Sequence, residues 1–188
     1  MVRHKIFGRR LTYLSWAKEA VVILLNQSST SVRRGFGSSF QIPGVSVEKN
    51  ARFQEAVAPL AWAYQETGDN RCLAAVKTGI DYWTSLQNKE DGSFPEYVPY
   101  ERSFAATAFS LNAVLYALDI IFSISPNKED GGGRWGEQIW AAGRWLADND
   151  EVVLTNQEAA AALALLRLSK LDERFLLPSE HKLRRVLA

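Results

Sequence analysis

The segment from Asp91 to Arg102, Asp-Gly-Ser-Phe-Pro-Glu-Tyr-Val-Pro-Tyr-Glu-Arg, holds a dense set of reactive side chains. A pair of carboxylates such as Glu96 and Glu101 can divide general-acid and general-base work in glycoside hydrolysis, provided their surroundings differ. Tyr97 with an arginine or asparagine can instead support proton abstraction beside a substrate carboxylate. Glu96, Glu101 and Tyr97 are therefore the candidate catalytic residues. Asp91, Phe94, Tyr100 and Arg102 are candidate substrate binders. Phe94, Tyr97 and Trp135 offer flat faces to a sugar ring or an isoprenoid. The competing role is structural, with Glu101 as a first-turn acid and Phe94 and Tyr97 pinning the loop.

What positions this segment is a repeated helix start, spaced about 50 residues apart. The starts read Arg52-Phe-Gln-Glu-Ala56, Arg102-Ser-Phe-Ala-Ala106 and Thr155-Asn-Gln-Glu-Ala159. Each opens polar and runs into small and apolar residues. Between them lie second helices bearing Tyr82-Trp83 and Trp145. The pattern predicts helices over 51–67, 70–87, 102–122, 135–147 and 156–169, and a last one from Pro178. Asn50 is placed to cap the first, Pro59 to kink it, and Thr155 or Asn156 to cap the fifth. These pair as antiparallel hairpins with the small-residue helices inside. The inner helices then share a direction, and their amino ends converge on one rim with the loops 88–100 and 148–155.

Converging amino ends carry unpaired N–H groups and favour an anionic ligand. Arg52 and Arg102, at two of those starts, can grip a carboxylate bidentately. Glu55 and Glu158 hold matching places in the repeat, which points to packing or capping. Trp62, Trp83, Trp140 and Trp145 are expected between the layers. The pentapeptide Asn-Lys-Glu-Asp-Gly occurs at 88–92 and again at 127–131, as turn chemistry rather than as the repeat.

The chain has 188 residues, is 47% hydrophobic and 23% charged, and has a formal net charge of +1. That is the balance of one folded domain with a core. Positive charge concentrates at the start, where Arg3, Lys5, Arg9, Arg10, Lys18, Arg33 and Arg34 face Glu19 alone. This reads as a solvated arm rather than a nucleic-acid binder. A helix over 11–26 and a Ser/Gly-rich linker over 27–46 lead to the repeat, so residues 1–49 and 50–188 are separate units. A single cysteine, Cys72, excludes an intrachain disulfide and reads as a core residue. His4 and His181 sit at opposite ends, with no histidine metal motif, so no metal or cofactor is expected. The apolar run Val21–Leu25 is too short to span a bilayer. With no signal peptide legible, the expected location is the cytoplasm.

Lys77, Gly79, Tyr82, Trp83 and Gln87, followed by Gly92 and Phe94, resemble the Gln-Trp repeat of the terpenoid cyclases, with Phe94 where that motif carries Trp. The wider α/α-toroid superfamily, including six-hairpin glycosidases and polysaccharide lyases, has similar helix pairs. Asn156-Gln157-Glu158 before an Ala-rich helix is similar to inner helices of its carbohydrate-active members, which adds Asn156 and Gln157, with Arg52, to the candidate binders. The cyclases' Asp-x-Asp-Asp motif and the prenyltransferases' zinc ligands are absent. The resemblance implies an all-α, two-layered partial toroid that binds or processes an anionic glycan. The alternatives are an isoprenoid-binding domain and a non-catalytic interaction module. A partial double layer also favours homo-oligomers.

Overall fold

The computed structural model describes residues 17–26, 50–98, 100–124 and 132–188. Among them the fold is all-α. Helical residues 17–26 (α1) lay Val21, Leu24 and Leu25 against the core. A 3₁₀ turn, Ala51–Ala56, runs into α2 (Val57–Thr67), followed by α3 (Asn70–Leu86), α4 (Phe104–Ile124), α5 (Gly132–Asp148), α6 (Thr155–Ser169) and α7 (Leu176–Leu187). The linker 27–46, the expected helix start before residue 17 and the whole second Asn-Lys-Glu-Asp-Gly (127–131) lie outside the described residues.

Local chemistry sets the boundaries. Asn50 caps as expected, its Oδ1 accepting from the Arg52 N–H at 2.7 Å. Pro59 does not kink a helix interior. The 3₁₀ turn ends at Ala56, so Pro59 falls in the first turn of α2, where a missing N–H costs nothing. Gly68 closes α2 in the left-handed region at φ 68°, its N–H donating to the Tyr64 carbonyl at 2.8 Å. Asp69 then caps α3. The predicted cap of α6 is corrected. Neither Thr155 nor Asn156 serves; Leu154 holds the cap position without a side-chain bond. Glu151 instead accepts from the Val153 and Leu154 N–H groups at 2.8 and 3.2 Å. The last helix starts at Leu176 rather than Pro178, behind a 3₁₀ turn, Glu173–Phe175, capped by Asp172.

Packing gives the expected inner row. α4 lies between α2 and α6. Its register against α6 is parallel: Asn112 donates to the Ala160 carbonyl and Arg167 to Asp119, both pairs 48 residues apart. α3 packs on α2, α5 on α4 and α6, and α7 on α6. Buried indoles tie the outer helices in: Trp83 Nε1 donates to Ser110 Oγ on α4, and Trp135 Nε1 to Asp81 on α3, each at 2.7 Å. Trp140 stacks on Phe175, and Trp145 packs against Phe104. Cys72 is buried, as expected. α4 is apolar and long enough over Phe104–Ser123 to cross a membrane, but 67% of its most apolar stretch is buried inside the fold, as in a core helix.

Candidate functional site

The loop from Gln87 to Ser103 is built from its own side chains. Gln87 Nε2 donates to the Gly92 carbonyl at 3.0 Å and to the Gln138 carbonyl of α5 at 2.8 Å. Gly92 sits at φ 90°, where a Cβ would lie 2.6 Å from the Ala141 backbone, so only glycine lets loop and helix approach this closely. Asp91 Oδ1 accepts from the Ser93 N–H and hydroxyl, and its Oδ2 lies 2.8 Å from Arg102 Nε. Phe94 is fully buried, stacked on Trp83 with centroids 4.3 Å apart, and its N–H donates to Thr107 Oγ1. Phe94 and Trp135 thus hold the scaffold and are not presented to a ligand.

Beyond Phe94 the loop turns outward. Glu101 Oε2 accepts from the N–H groups of Glu96, Tyr97 and Val98 at 2.9, 2.7 and 3.4 Å. Its carboxylate therefore folds the 96–98 turn. Ser103 caps α4, accepting from the Ala106 N–H at 3.1 Å, and its hydroxyl donates to Glu96 Oε2 at 2.9 Å. Arg52 Nη1 lies 3.6 Å from Glu96 Oε1, and Arg52 also pairs with Glu55. The Pro95 carbonyl accepts from the Ala51 N–H, which joins the first inner helix start to the second. Tyr97 is 57% exposed, and the neighbouring Glu96 carboxylate pushes its phenol above the ordinary 10.0. The outcome is a half-open cluster of Arg52, Glu96, Tyr97 and Ser103, with Glu101 beneath it.

Tyr100 stands beside this cluster at φ 66°, a strained conformation for a bulky residue, with its side chain 87% exposed. It borders an open groove of about 640 Å³ that Lys89, Glu90, Glu101 and Arg102 also line. Arg102 is two residues ahead of α4, rather than inside it, and pairs with Asp91 and Glu90. Asn156 is exposed and Gln157 half-buried in the first turn of α6.

The family model for the ulvan lyase N-terminal domain matches residues 25–181. The chain belongs to this family. Its function is polysaccharide-related, and the all-helical arrangement is compatible with an α/α-toroid-like, polysaccharide-lyase-related fold. No curated protein and no solved structure matches the chain. In this ulvan lyase N-terminal domain, Gln87 and Phe94 of the Gln-Trp-like motif are seen to fasten a loop rather than to meet a substrate.

A second charged cluster, absent from the expectations, sits where the 149–154 loop meets α6 and α7. Lys182 is 1% exposed, and its Nζ donates to the Asn149 carbonyl at 2.6 Å, Asp150 Oδ1 at 2.9 Å and Glu158 at 3.4 Å. Arg185 Nε donates to Glu158 Oε1 at 3.1 Å, and the Glu151 N–H donates to Glu158 Oε2. Lys182 Nζ also lies 5.3 Å from the Phe104 ring, so this loop stands beside the start of α4 at the common rim. Among these groups only Glu158 carried a signal, through its match with Glu55 in the repeat.

Proposed function

We propose that this domain binds an anionic polysaccharide at the rim cluster of Arg52, Glu96 and Tyr97, as the start of an α/α toroid. The observation that carries the reading is an exposed Tyr97 beside the Glu96 carboxylate, which Arg52 and Ser103 fix from behind. A phenol is a hydrogen donor at neutral pH, suited to a sugar oxygen. Arg102 and Arg52 supply the planar donors that match a uronate carboxylate.

The same constellation suits elimination in a uronate polymer. Glu96 takes the proton next to the carboxylate and Tyr97 gives its proton to the departing sugar oxygen as the carbon–oxygen bond breaks. A carbon–carbon double bond remains in the product. Glu101 holds the turn that aims both residues.

The test mixes the protein with ulvan and, separately, with an uncharged polysaccharide, reading binding by calorimetry and double-bond formation by ultraviolet absorbance of the unsaturated uronate. Binding to ulvan alone, lost in Tyr97→Ala, is the expected result. Equal affinity for both polymers, or none for either, would overturn the reading.

A further inference from the structure

We infer that the glycan site extends down the open face of α4 as a second station, two helical turns below the rim; this rests on the glycan reading of the rim itself. Phe109 and Tyr116 are seven residues apart on α4, so they share one face about 10 Å apart along the axis. Each carries an arginine over its ring. Arg52 reaches Phe109 from the first inner helix at 4.4 Å, and Arg167 reaches Tyr116 from α6 at 5.5 Å. Each arginine is also held by a carboxylate, Arg52 by Glu55 and Glu96, and Arg167 by Asp119. The rim motif of aromatic, guanidinium and carboxylate is thus repeated on the same helix face.

Two further observations describe this second station. Among the described residues, the buried side-chain polar atoms without a hydrogen-bond partner are Asn112 Oδ1 and Arg167 Nε. Both belong to this strip but are closed off from solvent, so they mark a cost of the packing here rather than contacts open to a sugar. Apolar surface flanks the strip as well: Leu163 and Leu166 of α6 are each 46% exposed, and Tyr116 is 36% exposed.

A sugar ring has an apolar face that packs on flat side chains, and hydroxyls that bond planar guanidinium and carboxylate groups. The spacing of about 10 Å is close to the length of two linked pyranose rings. The occupant is therefore a stretch of the same polysaccharide chain, read at alternate residues.

Calorimetric titration of ulvan oligosaccharides sorted by length separates this from the rim reading. A hexasaccharide should bind Tyr116→Ala and Arg167→Met about tenfold more weakly than the wild type. A disaccharide, which fills the rim alone, should bind all three proteins equally. On the wild type, the Asn112 side-chain amide resonances should shift with the hexasaccharide and not with the disaccharide, a readout that needs no variant. Length-independent affinity with unmoved Asn112 resonances would overturn the second station and leave the rim standing. Failure of every oligosaccharide to bind would remove both.

Discussion

Two charged clusters sit at the same rim of this fold, and they have opposite characters. Around Glu96 the groups are half-open: Tyr97 faces solvent, and Arg52 and Ser103 fix the carboxylate from behind. Around Glu158 the groups are closed: Lys182 and Glu158 are 1% and 2% exposed, and each is bonded on several sides. Both arise at the start of an inner helix. The difference lies in what completes the shell. At α6 the returning helix α7 supplies Lys182 and Arg185, which consume the acceptors. At α4 the shell comes from a loop, which satisfies Glu101 and leaves Tyr97 outside. A saturated buried network fixes structure, whereas a partly open one has capacity left for a ligand.

That contrast breaks first at its foundations. Phe94→Ala should cost about 4 kcal/mol, because it removes a fully buried ring stacked on Trp83 and leaves a cavity under the loop. Urea unfolding measures it, and a loss below about 1 kcal/mol would show that Phe94 does not hold the loop. Lys182→Ala should cost about 3 kcal/mol by stranding the Glu158 carboxylate, yet should leave the phenol of Tyr97 in place. Thermal melting together with tyrosine titration reads both halves.

Acid should sharpen the comparison. The Lys182 hydrogen bond holds the Asp150 carboxyl below its ordinary 3.8. A carboxyl lowered in the folded state adds stability that is full above the unfolded value and is lost as pH falls through the folded one. The stability gap between wild type and Asp150→Asn should therefore be constant near neutrality and close below about pH 4. A gap that is unchanged at pH 3 would remove Asp150 from the network. The smallest effect is at the open cluster. Glu96→Gln should bring the Tyr97 phenol back toward 10.0, seen in a spectrophotometric titration, with little change in melting temperature.

The repeated polar starts at Arg52, Arg102 and Thr155 made the inner row legible, because small residues at helical spacing have few other uses than close packing. Asn50 as a cap and Cys72 as core were legible from residue type alone. The 3₁₀ turn before Pro59 was not, since it follows from the Pro95 carbonyl holding the Ala51 N–H across the fold. Asp91-to-Arg102 was legible as a dense polar segment leading into an inner helix, but not its division of labour. Nothing local distinguishes Glu101, which bonds three backbone N–H groups, from Glu96, which faces Arg52. Lys182 was invisible for a related reason: its carboxylate partners lie 24 and 32 residues away, on other elements.

The most direct measurement is the affinity of ulvan oligosaccharides for Tyr97→Phe and Lys182→Met, with melting temperature recorded for each. Tyr97→Phe should lose about tenfold in affinity at unchanged stability, while Lys182→Met should lose stability and keep its affinity once folded. Full affinity in Tyr97→Phe, with the loss appearing in Lys182→Met instead, would contradict this and move the site to the closed cluster.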